Sequence, residues 1–275
     1  MITKQIIIDW KGPKLRGNPI GIIPGQCVAQ VKYDGEFNML YTDAGQIHLV
    51  NKYGRCRFNC AFLDKYRFPE NSQFMCELVY GEGYWGDLYK FLSHKDDDDA
   101  LDIKIFDVLR LSGENMVKKS CFERIQALRH VNLTTSLNSL VFFPFNIPLA
   151  TTAIIDASKI GTFFSEFVAA GYEGIVVKNI NEQLSLPTTN WVKMKSHDQS
   201  DFKIVEIDSI KERITVGVEI FGNASAIWVG VKVMDKDKAT LKVGDLVTIE
   251  HQGILPSGSL RHPVYLGKAV DSENK

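Results

Sequence analysis

The stretch VAQVKYDGEFNMLYTDAGQIHLV (residues 28–50) decides how this chain is read. Apolar and polar residues alternate along it, broken by two turn-forming pairs, Asp34-Gly35 and Ala44-Gly45. That pattern predicts an antiparallel meander, because alternation gives each strand one buried face and Asp-Gly is a favoured hairpin turn. Within it, VKYDGEF (residues 31–37) on its own needs no explanation beyond strand, turn and strand.

Outward from the meander, residues 84–94 and 115–131 carry apolar residues three and four apart, as amphipathic helices do. Residues 154–170 read as a third helix, with Gly171 placed to end it in a left-handed cap. From Phe202 onward the pattern changes to short β-rich runs, FKIVEI, RITVGVEIFG, AIWVGVKVM and DLVTIEHQGIL, with helical periodicity nearly absent. This predicts a small β-barrel or sandwich. The polar stretch SHDQSD (residues 196–201) has linker composition and marks the boundary, giving domains over 1–198 and 199–275. The class is α+β with an all-β tail.

Composition excludes more than it identifies. The 275 residues are 45% hydrophobic and 24% charged, ordinary for a globular protein and too apolar for a disordered one. No apolar run reaches the ~20 residues that span a bilayer, and MITKQIIIDW lacks the apolar core of a signal peptide. Five irregularly spaced cysteines argue for a reducing compartment, and Cys56 and Cys60 have no second pair to complete a zinc site. The formal net charge of −1 carries no hint of nucleic acid, so such a partner must be argued from local arrangement. The run Asp96–Asp99 reads as a solvated loop.

Further stretches follow VKYDGEF in order: NKYGR (51–55), CELV (76–79), IFDVL (105–109), EGIVVK (173–178) and WVKMK (191–195). Each alone could be a core or surface strand; bland readings do not explain their order and combination. Together they resemble the signature stretches of the covalent nucleotidyltransferases, the superfamily of ATP-dependent polynucleotide ligases and RNA capping enzymes. The tail VGDLVTIEHQGILPSGSLRHPVYL (243–266) is similar to the end of the OB domain in small ATP-dependent DNA ligases. The resemblance covers nearly the whole chain. It implies a nucleotidyltransferase domain of antiparallel sheets with flanking helices, followed by an OB-fold barrel.

The implied activity is that of an ATP-dependent DNA ligase, of use in DNA replication, repair and recombination. Lys32 would attack the α-phosphorus of ATP, expel pyrophosphate and hold AMP through a P–N bond. AMP would pass to a 5′-phosphate, and a 3′-hydroxyl would displace it and seal the nick. An ordinary lysine, with a pKa of about 10.4, is protonated at neutral pH, so cations such as Lys193 and Lys195 and partial burial are expected to lower it. The resemblance assigns Gln30 to the adenine edge, with Val31 beside it, Phe106 to stacking on the base and Glu77 to the ribose. Glu173 and Asp34 are the expected metal ligands, with Mg²⁺ the expected ion. The resemblance also gives Asp34 a part in organising the nucleophile. Lys178, Lys193 and Lys195 are expected along the phosphate path. Lys52 stands in the nucleotide site where an arginine is usual. Arg261 and Lys268 resemble the cationic motif that orients pyrophosphate. Phe37 occupies another position where DNA ligases usually carry arginine, and Met75-Cys76 precede Glu77 in place of aspartate-glycine.

The expected partner is nicked duplex DNA. An RNA ligase, or one joining RNA-containing ends, is the alternative, and a non-catalytic OB-fold nucleic-acid binder is the competing reading from another class. A capping guanylyltransferase is opposed by the tail, and an NAD-dependent ligase by the lack of a nicotinamide-binding domain before Lys32. A monomer inside the cell, cytoplasmic or nucleoid-associated and away from membranes, completes the expectation.

Overall fold

The computed structural model describes residues 16–17, 25–57, 60–84, 86–87, 100–133, 145–184, 191–208, 213–220, 223–232, 240–253 and 259–269. Beyond Asp87 the helix expected over 84–94 lies outside them, as does the aspartate run. The chain divides into two compact units, residues 1–194 and 195–275.

The first unit begins with strands β1 (Arg16–Gly17), β2 (Gln26–Lys32), β3 (Gly35–Asp43), β4 (Gln46–Asn51) and β5 (Cys56–Arg57). Then come β6 (Ser72–Tyr80), β7 (Leu101–Leu111), β8 (Glu114–Asn115) and helix α1 (Cys121–Leu133). It closes with β9 (Thr152–Asp156), helix α2 (Ile160–Ala169), β10 (Gly174–Asn179) and β11 (Val192–Lys195). They form two sheets, β1-β11-β10-β2-β9 and β5-β4-β3-β6-β7-β8. Ala44 (φ 51°) and Gly45 (φ 73°) close the expected β3–β4 hairpin, the left-handed pair that matches strand twist.

Asp34-Gly35 behaves differently from expectation. It carries the chain out of the first sheet, where β2 pairs with β9 and β10, into the second, where β3 pairs with β4 and β6. The meander is therefore one hairpin preceded by a crossover. Gly35 is required there: a Cβ would stand 2.2 Å from the Leu78 carbonyl oxygen and 2.7 Å from Glu77 Cγ.

Two helix expectations need correction. α1 starts at Cys121 rather than 115, because Ser120 and Glu123 form a capping box: Glu123 N–H donates to Ser120 Oγ (3.2 Å) and Ser120 N–H to Glu123 Oε2 (2.7 Å). Residues 152–156 are a strand paired with β2, in keeping with the β-branched content of Thr152, Ile154 and Ile155. α2 begins only at Ile160, and Gly171 (φ 96°) follows its end.

α1 packs against β7, over a core that includes Phe74, Cys76, Ile103, Ile105, Ile125 and Leu128. α2 packs on β10 and β2 through Cys27, Ile160, Ile175 and Val177. No helix among the described residues is long and apolar enough to cross a membrane.

The second unit is a five-stranded antiparallel sheet. In chain order its strands are β12 (Asp198–Asp208), β13 (Arg213–Ile220), β14 (Asn223–Lys232), β15 (Leu246–His251) and β16 (Val264–Lys268), arranged β14-β13-β12-β15-β16. Bulges interrupt three of its pairings, and β14 and β16 approach each other, so the sheet rolls around Phe202, Ile204, Val247, Ile249 and Tyr265. This is the OB-like β domain the tail implies. The polar stretch 196–201 is not a free linker: from Asp198 it is strand, paired with β15 from Asp198↔His251 onward. Its side chains suit an exposed strand face, since Thr248 Oγ1 donates to Asp201 Oδ1 (2.7 Å).

Candidate active site

A cavity of about 350 Å³ in the first unit is lined by residues of both sheets. Gln30, Val31 and Lys32 come from the end of β2, Val176 and Lys178 from β10, and Trp191 from just before β11. The second sheet contributes Phe37, Glu77 and Phe106, with Lys52 in the turn after β4 and Tyr33 in the crossover. Seven of the expected site residues thus meet in one place: Gln30, Val31, Lys32, Lys52, Glu77, Phe106 and Lys178.

Glu173 joins them through the ion pair it makes with the Lys32 ammonium, the glutamate being 3% exposed and the lysine 18%. The partner of Lys32 is therefore an anion, contrary to the expected cation. Lys193 and Lys195 lie half-buried on β11, two strands from Lys32, and neither is among the residues lining the cavity. Asp34 is buried, and its Oδ2 accepts from Gly86 N–H (2.9 Å), which ties the crossover to the 81–87 loop. Burial pushes the Glu77 carboxyl up to about 7, with Lys32 opposing and Glu173 and Asp34 adding to the rise.

At the other end of the cavity, the Phe106 carbonyl oxygen accepts from Gln30 Nε2 (3.0 Å) and from Lys178 Nζ (2.9 Å). Phe106 makes a T-shaped contact with Trp191, ring centroids 6.0 Å apart, and a tilted one with Phe37 at 6.1 Å. Lys178 is 1% exposed, and its Nζ stands 3.7 Å from the Trp191 ring centroid, a cation–π contact. Lys178 therefore belongs to the floor of an aromatic pocket.

Asp107 holds that floor in place. It bonds Lys178 Nζ (3.2 Å) and takes two hydrogen bonds from Arg124, Nε (2.7 Å) and Nη2 (3.1 Å). Burial works against the charge on Asp107, but Lys178 and Arg124 outweigh it and hold the carboxyl below its ordinary range. Desolvation in turn lowers the Lys178 ammonium below the usual lysine value, against the pull of Asp107. Neither Asp107 nor Arg124 is singled out by sequence motifs, although a charge inside the apolar run IFDVL must find a buried partner.

Arg261 and Lys268 lie in the second unit. Arg261 is 7% exposed, and its main chain pairs with Gln252 and Gly253. Lys268 Nζ is engaged by Asp245 Oδ2 (2.9 Å) and the Thr240 carbonyl (2.9 Å).

Residues 88–195 match the family model of the ATP dependent DNA ligase domain. Solved structures agree on the fold. A Lig E DNA ligase, described as binding DNA with a minimal scaffold, aligns with a TM-score of 0.71 at 13% identity, over 94% of this chain and 99% of that one. Pmar-Lig_PreS3 aligns with a TM-score of 0.72 at 17% identity, over 94% and 67%. The ligase domain of LigD from M. tuberculosis aligns with a TM-score of 0.57 at 13% identity, over 97% and 96%. No curated protein sequence matches the chain. The match begins after Lys32 and Glu77 and takes in Phe106, Val176, Lys178 and Trp191 of the cavity lining, together with Asp107 and Glu173 beside it.

Proposed function

We propose that the protein is an ATP-dependent ligase that forms a lysyl-AMP intermediate on Lys32, transfers AMP to a 5′-phosphate and seals nicks in duplex DNA. What supports this reading is that Lys32, Gln30, Glu77 and Phe106 line one aromatic-floored cavity, Gln30 standing two residues before Lys32 on β2. A nucleotide entering the cavity finds Phe106 to stack on, Gln30 for its edge and Glu77 for its ribose. Its α-phosphorus then faces the Lys32 Nζ. Lys32 attacks as the neutral amine after its ammonium passes a proton to the Glu173 carboxylate it contacts. The N–P bond then forms as the bond to the pyrophosphate oxygen breaks, pyrophosphate leaves, and the remaining extra proton on nitrogen goes to solvent. Glu173 fixes the Lys32 head group beforehand, which supplies the in-line positioning on which phosphoryl transfer depends.

Carboxylates crowd this end of the site: burial does most to raise the Glu77 carboxyl, and the Glu173 and Asp34 charges add to the rise. A divalent cation would relieve it. No three His, Cys, Asp or Glu side chains among the described residues could enclose a metal, but Mg²⁺ usually takes one or two carboxylates together with substrate phosphates. Glu173 would hold it, with Asp34 ordering the adjoining loop. Bound there, it would neutralise phosphate charge. Arg261, Lys268, Lys193 and Lys195 belong to the same reading, as phosphate and pyrophosphate contacts. The protein is expected to act as a monomer.

The test is incubation with α-labelled ATP and Mg²⁺ followed by nicked DNA. Label should appear on the protein and chase onto the DNA as sealing proceeds. Protein that never takes up label refutes the reading. A second reading, sealing of RNA-containing ends, is favoured by Phe37, which packs on Phe106 where DNA ligases usually carry arginine. Faster turnover on nicks with ribose ends would establish it.

A further inference from the structure

We infer that Thr152 is a specificity-determining residue: it fixes the Gln30 amide so that the site accepts a nucleobase offering an amine, adenine, and rejects one offering a carbonyl, guanine. This rests on the ligase reading above.

Thr152 sits on β9 directly opposite Gln30 on β2. Its hydroxyl has one hydrogen, which it donates to the Ala150 carbonyl oxygen (2.7 Å). Toward Gln30 the hydroxyl can therefore only accept, and it does so from Nε2 at 2.9 Å. The other contact of Nε2 is the Phe106 carbonyl oxygen, which can likewise only accept. Lys178, pinned by Asp107, donates to that same carbonyl and holds it in place. Both amide hydrogens of Gln30 are thus consumed by acceptors from two different sheets. Turning the amide over would set its oxygen against two acceptor oxygens.

What remains for a ligand is Gln30 Oε1. It is buried, in a residue 2% exposed that lines the cavity, and has no hydrogen-bond partner among the described residues. A buried acceptor without a donor is costly, roughly 1–3 kcal/mol, so the site favours a base that supplies one. Adenine carries an N6 amine where guanine carries the O6 acceptor. Adenine satisfies Oε1 through N6, whereas guanine held in the same pose sets its O6 lone pair against Oε1 and leaves it unpaired. Sites built around such a bond discriminate strongly, because the wrong ligand strands a buried polar group.

The test compares self-nucleotidylation of the full chain by ATP and by GTP, as kcat/KM for covalent label. The variants are Thr152→Val, which keeps the β-branched shape and removes the acceptor, and Thr152→Ser, which keeps the hydroxyl. The wild type should prefer ATP. Thr152→Val should lower the ATP:GTP ratio about tenfold or more, by loss with ATP and gain with GTP, while Thr152→Ser holds the wild-type ratio. A residue that only supports the fold would lower both nucleotides together, so a Thr152→Val protein with the wild-type ratio overturns the inference. Loss of the ratio in Thr152→Ser as well overturns it too, because the acceptor is retained there. A wild type labelled by neither nucleotide overturns the ligase reading itself, and so separates the two failures.

Discussion

Replacing Asp107 with asparagine removes the carboxylate that bonds both Arg124 and Lys178 while keeping the shape of the side chain. Asp107 and Arg124 are 0% exposed and Lys178 is 1% exposed, so the change takes from two buried cations the counter-charge they share, leaving Arg124 the weaker influence of Glu182. Breaking a buried pair by removing one partner typically costs about 3–5 kcal/mol. Some contacts survive. Arg124 Nη1 still donates to the Lys119 (2.7 Å) and Glu182 (3.1 Å) carbonyls, and Lys178 keeps the Phe106 carbonyl and the Trp191 face. The expected loss is therefore near the lower bound, about 3 kcal/mol. Urea unfolding followed by tryptophan emission should show it. With a slope of about 2 kcal/mol per molar, the midpoint falls by about 1.5 M. The exposed pair Lys119–Glu114, at 3.3 Å and with both side chains over 40% exposed, provides the contrast. Glu114→Gln should change stability by less than about 0.5 kcal/mol. Equal, small effects of the two substitutions would refute the claim that the Asp107 network is a charge-balanced support for the pocket floor.

Glu77 titrates near 7 in the folded chain against 4.5 when unfolded, so between those values the folded state binds more protons and stability falls as pH rises. Glu77→Gln should remove that part of the slope, as compared by urea midpoints at pH 5 and pH 8; an unchanged slope contradicts the assignment. Gly35→Ala forces a Cβ into the Leu78 carbonyl and should cost at least the roughly 1–3 kcal/mol of overpacking, with loss of self-adenylylation, measurable by thermal unfolding and label uptake. Phe106→Ala should weaken ATP use by a stacking contact of about 1–3 kcal/mol and affect a pre-adenylylated nick less; equal loss on both would make it a core residue only.

Local chemistry made some of this architecture legible. Ala44-Gly45 announced a hairpin, and alternation after Phe202 announced an all-β unit, because both depend on neighbours in sequence. Asp34-Gly35 carries an equally strong local signal but joins two different sheets, a choice fixed by what β2 and β3 each pair with. Residues 154–156 share a helical pattern because the apolar spacing of 154–170 continues into α2, and strand pairing with β2 overrides it. The polar SHDQSD stretch reads as linker because one face of an exposed strand needs no apolar residues. The motif residues that line the cavity are recognisable from order and resemblance. Asp107, Arg124 and Thr152 were not, since their roles arise from contacts 17 to 122 residues apart. Lys178 was read as a phosphate contact, and only the fold shows its head group clasped beneath the aromatic rings.

The central claim is that Lys32 carries the nucleotide. It is tested most directly by labelling the protein with ATP, digesting it and locating the AMP adduct by mass spectrometry, with Lys32→Ala beside the wild type. The account predicts AMP on Lys32 in the wild type. It predicts no adduct in Lys32→Ala, which should still close a nick already bearing a 5′-adenylate, because that final step uses no lysine nucleophile. An adduct on another residue, or a Lys32→Ala protein that still takes up AMP, would contradict it.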